Sequence, residues 1–210
     1  MRGASLLLAA ALLLPGPLPG PGLRAQEPGV SPALPPPGSH QGELLIASPE
    51  MRDPRFREAV ILLVRHNADG ALGLILNRPL EEVPLAGLMQ GLGVEGPGTE
   101  EGVLLHYGGP VRPGAGFVLH TAEEGFAPKE PLAPGYGVSP FAEVLRAMAG
   151  GKRPRRAVFI LGYAGWGPGQ LEAEMRRGGW ETAPADEDLL FDADHRTKWE
   201  RAMERRTRTL

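Results

Sequence analysis

The chain has 210 residues, a formal charge of −3 and no cysteine. So small a charge gives no overall pull toward nucleic acid or anionic membranes, and the missing thiols exclude disulfides, zinc–thiolate sites, thiol catalysis and lipoprotein anchoring. The 42% hydrophobic content suits one domain of roughly 150 residues, which buries about 70% of its unfolded surface, plus extra segments.

Arg2 precedes a nine-residue apolar run, Leu6–Leu14. The run is too short to span a bilayer, which takes about 20 residues, and it fits the apolar region of a secretory signal ending near Ala25. Residues 26–41 read as a Pro-rich disordered linker, because proline blocks helix and ladder hydrogen bonds. The domain is expected over 42–205, followed by a basic tail at 206–210. With a working signal at 1–25 the chain is exported to the periplasm; otherwise it is cytoplasmic.

Glu43–Ser48 is a buried strand, and Asp53-Pro54 starts a turn or helix. Ala59–Arg65 and Ala71–Asn77 form a hairpin around Asp69-Gly70, a pair that favours the type I′ turn. The near-continuous apolar character of 59–65 predicts that both faces are covered. A short amphipathic helix follows at 84–92. Strands are expected at 103–107 and 116–121, a helix at 140–149 and a strand at 157–161. A helix is then expected at 168–177, a short strand at 189–191, and a last helix from Asp194 to Arg205. Hairpins mixed with strand–helix–strand units indicate an α+β fold with a mixed β-sheet flanked by helices, in a single domain.

Four blocks carry a resemblance: GELLIASPEMRDPRF at Gly42–Phe56, GALGLILNRP at Gly70–Pro79, GGPV at Gly108–Val111 with GFVLH ending at His120, and LGYAGWGPGQLE at Leu161–Glu172. Phe191-Asp192 and Trp199 add to them. In this order they resemble the YqgE/AlgH family. The resemblance implies an α+β domain with a barrel-like portion, a bacterial and mostly cytosolic setting, and a regulator label with no established reaction. The chain departs from the pattern at Ala115, where the family usually has Arg, and at Gly178–Gly179, where an Asn usually precedes Trp180.

The glycines of Gly162–Gly167 let the backbone approach a neighbour closely. The helix start beyond Pro168 offers unpaired N–H groups for an anion. A ligand- or partner-binding cleft is therefore expected from Asn77, Arg78, Gly108, Gly109, Pro110, His120, Tyr163, Gly165, Trp166, Gly167 and Gln170. The bland alternative makes Trp166 core and the glycines packing devices. His66, His106 and His120 fall at strand ends without HxH or HExxH spacing, so neither a metal site nor a cofactor is expected. Neither Ser48 nor Ser139 lies in a GxSxG context. Lys152–Arg156 is basic, but no nucleic-acid-binding motif accompanies it.

These readings favour a non-catalytic regulatory or interaction module, acting on an unknown protein or small ligand through the Gly-rich cleft. The alternative is an enzyme, such as a hydrolase or transferase, using His120, Asn77 and Gln170 as polar groups of that cleft. No catalytic residue set assembles from the sequence.

Overall fold

The apolar runs of the sequence become strands covered on both faces. In β1 (Glu43–Ala47) and β2 (Val60–Asn67), Leu44, Ile46, Val60 and Leu62 enter one core cluster, while Leu45, Ala47, Ile61 and Leu63 enter another. This follows from the two-residue period of a strand. β3 (Gly70–Ile75) returns antiparallel to β2, with Asn67 opposite Gly70. The loop is therefore Ala68-Asp69, one residue earlier than the turn chemistry alone indicates. Gly70 takes φ 121°, and a Cβ there would lie 2.2 Å from the Trp166 carbonyl oxygen. Contact with a distant strand, not the turn itself, sets the position of that glycine.

The computed structural model describes residues 38–96, 101–124 and 126–207, all within one compact unit. The expected signal at 1–25, the linker up to residue 37 and the tail at 208–210 lie outside the described residues.

The remaining elements are β4 (Pro79–Pro84), α1 (Leu85–Gly91), β5 (Gly102–Tyr107), β6 (Val111–Thr121), β7 (Glu130–Ala133), β8 (Tyr136–Pro140) and α2 (Phe141–Ala149). They are followed by β9 (Ala157–Trp166), α3 (Gln170–Arg176), β10 (Trp180–Pro184), α4 (Glu187–Leu190) and α5 (Lys198–Glu204). β4, β7, β8 and β10 have no counterpart in the sequence reading. β4, with Pro79, Glu81, Glu82 and Pro84, pairs only with β5 and is mostly exposed. It has the proline and charge of a protected edge. The expected strand at 189–191 is instead helix α4, because the Asp186 carboxylate accepts from Leu189 N at 2.9 Å and caps a helical turn. Asp194 does not cap α5 directly. It accepts from the Thr197 hydroxyl at 2.6 Å in the turn before Lys198.

The sheet is mixed, in the order β10-β1-β2-β3-β9-β6-β8-β7, with β5 also beside β9 and β4 beside β5. It is not closed, so the barrel-like portion implied by the resemblance is an open sheet with edges at β10, β7 and β4. β9 is its hub. One edge of β9 pairs along β6; the other is divided between antiparallel β3 at Ala164–Trp166 and parallel β5 at Phe159–Leu161. Helices α1 and α2 pack over a third cluster that includes Leu85, Met89, Val118, Phe141, Leu145 and Phe159.

The chain leaves β5 where β3 and β5 meet on β9. There Gly108 N donates to Leu161 O at 2.7 Å, and Gly108 O accepts from Ile75 N at 3.0 Å. A Cβ on Gly108 would meet Gly162 O at 2.4 Å, and one on Gly109, at φ 147°, would meet the Tyr163 carbonyl carbon at 2.2 Å. Ala in place of Gly109 combines backbone strain with overpacking, so Gly109→Ala is expected to cost about 3 kcal/mol or more. Gly169, at φ 72° and with nothing within 4 Å of the point a Cβ would occupy, is the control. Gly169→Ala should cost only about 1–2 kcal/mol. Urea unfolding of the two variants checks the difference.

Candidate functional site

Helix α3 lies against the end of β9 and the start of β10, and a cavity of about 400 Å³ opens there. From the expected set it is lined by Pro110, Gly165, Trp166 and Gln170, joined by Met51, Asp53, Arg55, Phe56, Val111, Glu174, Arg177, Gly179 and Trp180. Phe56, Trp166 and Trp180 form its aromatic wall, with Trp166 and Trp180 edge to face at a centroid distance of 5.8 Å and Phe56 5.6 Å from Trp180. Trp166 is only 6% exposed and belongs to the core. It is therefore both a core residue and part of the cavity wall.

One carboxylate organises this wall. Glu174 Oε2 accepts from Trp166 Nε1 at 3.0 Å and from Trp180 Nε1 at 2.9 Å, while its Oε1 accepts from Gln170 Nε2 at 2.9 Å. Burial alone would raise the Glu174 pKa, but the donors from Trp180, Gln170 and Trp166 outweigh it and hold the carboxyl below its ordinary value. Gln170 Oε1 in turn accepts from Gly167 N at 3.1 Å, just before Pro168. Asp53 is bound by the Arg55 side chain, whose guanidinium also lies 5.6 Å above the Phe56 ring.

The other expected residues lie elsewhere. Gly108 and Gly109 are packed behind the cavity against Gly162–Ala164. Tyr163 is not among the lining residues; its ring is edge to face with Phe117. Asn77 is buried and pins the start of β2, accepting from Val60 N at 3.0 Å and donating to Glu58 O at 2.8 Å. Arg78 donates to Arg57 O. His120 is fully buried, stacked on Phe126 and hydrogen-bonded to Thr121 O and Ser139 Oγ, each at 2.9 Å. It pairs with Ala157 at one end of β9, while Trp166 is at the other. Nine strand steps separate those ends by about 30 Å, so His120, Asn77 and Gln170 do not converge on one cavity. The segment Gly162–Trp166, read as a strand-to-helix bend, continues β9 because β3 supplies ladder partners for Ala164–Trp166.

The sequence reading missed Phe56, Glu174 and Trp180 in the wall. It also missed a second cavity of about 340 Å³, lined in part by His106, His195, Asp192, Glu101, Arg153 and Arg155. There His106 Nε2 faces His195 Nε2 at 3.4 Å. Burial, then the neighbouring His195, lowers the His106 pKa to about 4. Behind the pair, buried Lys198 donates to the carbonyls of Leu189, Leu190 and Asp192, and burial lowers its pKa to about 8. Arg153, Arg155 and Arg156 of the basic run pair with Glu101, Glu187 and Asp188.

The family model described as DUF179, AlgH-like, matches residues 44–209. The chain belongs to the AlgH-like family. A UPF0301 protein of Caulobacter vibrioides is 45% identical over 165 residues, covering 77% of this chain and 84% of that protein. One from Cereibacter sphaeroides is 42% identical over 159 residues, covering 75% and 86%. The solution structure of the AlgH protein from Pseudomonas aeruginosa superposes with a TM-score of 0.67 at 37% identity, covering 80% of this chain and 89% of that one. A crystal structure of protein DIP2367 from Corynebacterium diphtheriae, with a TM-score of 0.58 at 22% identity, shares the fold. Among the described residues of this AlgH-like chain, no helix is long and apolar enough to cross a membrane.

Both cavities lend themselves to a stability measurement. Glu174→Ala leaves two largely buried indole N–H groups without their acceptor, at about 1–3 kcal/mol for each group; chemical denaturation and tryptophan fluorescence should report the loss together. For His106 the folded-state pKa lies below the unfolded value of about 6.5, so the unfolded chain binds the proton first. Stability should therefore fall as pH drops from about 6.5 toward 4. His106→Gln should flatten that part of the pH–stability curve.

Proposed function

We propose that this AlgH-like chain is a non-catalytic regulatory or interaction module that takes an apolar group of a protein or small ligand into the cavity beside Trp166. The observation that carries this reading is the saturation of the polar groups in the cavity. Glu174 accepts from two indoles and an amide, and Asp53 is held by Arg55. Neither carboxylate is free to move a proton, and acid–base catalysis needs a positioned group that is. The aromatic wall remains, as in sites where fixed polar groups surround an apolar hollow.

Phe56 and Arg177 line the cavity, and neither side chain is among the hydrogen-bond donors to the Glu174 carboxylate. Screening by two-dimensional NMR against small apolar and aromatic compounds and candidate peptides is expected to move the indole N–H signals of Trp166 and Trp180. The Trp199 signal, whose N–H is held by Ala47 O, should stay in place. Phe56→Ala and Arg177→Ala, each shown to be folded, should weaken the hits. Hits that shift other regions, or that bind both variants as tightly as the parent, would refute the reading.

A further inference from the structure

The polar groups around the cavity beside Trp166 define the ligand more closely. Every polar side chain of the lining but one has a hydrogen-bonding partner within the protein. Arg55 donates to Asp53 through Nε at 3.0 Å and Nη2 at 2.6 Å. Gln170 is held at both ends, by Gly167 N and by Glu174, and Glu174 accepts from both indoles as well. Arg177, at the C-cap of α3, is the exception. Its guanidinium is exposed at the rim and enters no hydrogen bond or ion pair with the described residues. Glu174 feels its charge through space only.

A main-chain donor of the same lining is also open. Ser48 N donates to Gly179 O at 3.1 Å, and Ile46 is opposite Glu181. Main-chain groups turn to alternate sides along a strand, so the Trp180 N–H faces away from β1. Among the described residues no strand lies beyond β10 on that side. Both open positions are thus donors, and neither can accept. The paired N–H groups of a guanidinium match the two oxygens of a carboxylate. The Glu174 charge opposes an anion at depth, which places the acid group at the rim and the apolar part against Phe56, Trp166 and Trp180. That opposition is stronger for a phosphate monoester, with its charge of about −1.5 to −2, than for a carboxylate. Resting on the reading of this cavity as a ligand site, we propose that it binds a small aromatic monocarboxylate, with the ring on the aromatic wall and the carboxylate on Arg177 and the Trp180 N–H. The volume of about 400 Å³ is at the lower end of small-ligand sites, which span about 300–1,000 Å³, and suits one or two rings rather than a stretch of chain.

The test titrates the full chain by calorimetry with benzoate, 3-phenylpropionate and 2-naphthoate, each beside its amide, which has the same shape and no charge. The best acid is expected to bind at least about tenfold tighter than its amide, as a charge-assisted contact does over a neutral one. Arg177→Gln should abolish that preference and leave the amide within about twofold, since the position is exposed. Arg176→Gln, exposed and outside the cavity, should change neither affinity. Added salt should narrow the gap between acid and amide. Equal binding of acid and amide, or an acid preference that survives in Arg177→Gln, overturns the proposal and leaves the broader reading of the cavity in place. Binding of no member of the panel also overturns it, and the NMR screen then decides the broader reading alone. A tripeptide ending in Phe that binds more tightly than every free acid overturns the assignment to a small molecule.

Discussion

The fold depends on a backbone crossing that only glycine permits. Gly108 and Gly109 pass so close to Gly162–Ala164 that a side chain at either glycine would overlap main-chain atoms. This contact lets β9 carry β3 and β5 on one edge, one antiparallel and one parallel. Without it the chain could not leave β5 between the two partners, and the halves of the sheet would lose their shared strand. The hydrogen bonds of Gly108 to Leu161 and Ile75 close the gap in the ladder that the change of partner opens. The buried backbone groups stay satisfied, as they must away from water.

A second constraint is local. Glu174 ties two indoles, one from the end of β9 and one from β10, to helix α3. A helix of seven residues has little stability of its own. Here a charged acceptor and an aromatic cluster fix it, so the cavity wall is a rigid part of the core. The AlgH-like motif around Trp166 thus serves packing first. Gly165 and Pro110 border the hollow beside it.

Strands with continuous apolar character were legible in the sequence: β1, the β2–β3 hairpin, β5 and the buried half of β6 follow from Leu44, Ile61, Leu105 and Val118. So were helices with an apolar stripe, as in Phe141, Val144 and Leu145. The strands missed were those whose residues argue against a strand locally. β4 is Pro-Leu-Glu-Glu-Val-Pro, and β8 and β10 each end in proline. They are strands because a neighbour supplies the ladder, which no local pattern records. Half of the candidate site was legible for the same reason. Trp166, Gln170, Gly165 and Pro110 lie in motifs that stand out, but Glu174 looked like one carboxylate on a polar helix, and Phe56 belonged to a turn. Only the tertiary fold separates His120, sealed under Phe126, from His106, which faces a cavity.

The position of β9 as hub has a consequence for synthesis. Its partners β3, β5 and β6 all precede it in the chain, so on the ribosome each emerges before the strand that will cover its edge. Until residue 166 has left the tunnel, only the β1–β2–β3 meander, the β4–β5 pair and the β6–β8–β7 ribbon can form. Their apolar faces then stay open to other nascent chains. Pairings this distant in sequence form slowly, because loop closure precedes the reward of contact. Assembly of the domain therefore waits on one late segment, and shielding of the earlier strands during that interval governs the yield of folded protein.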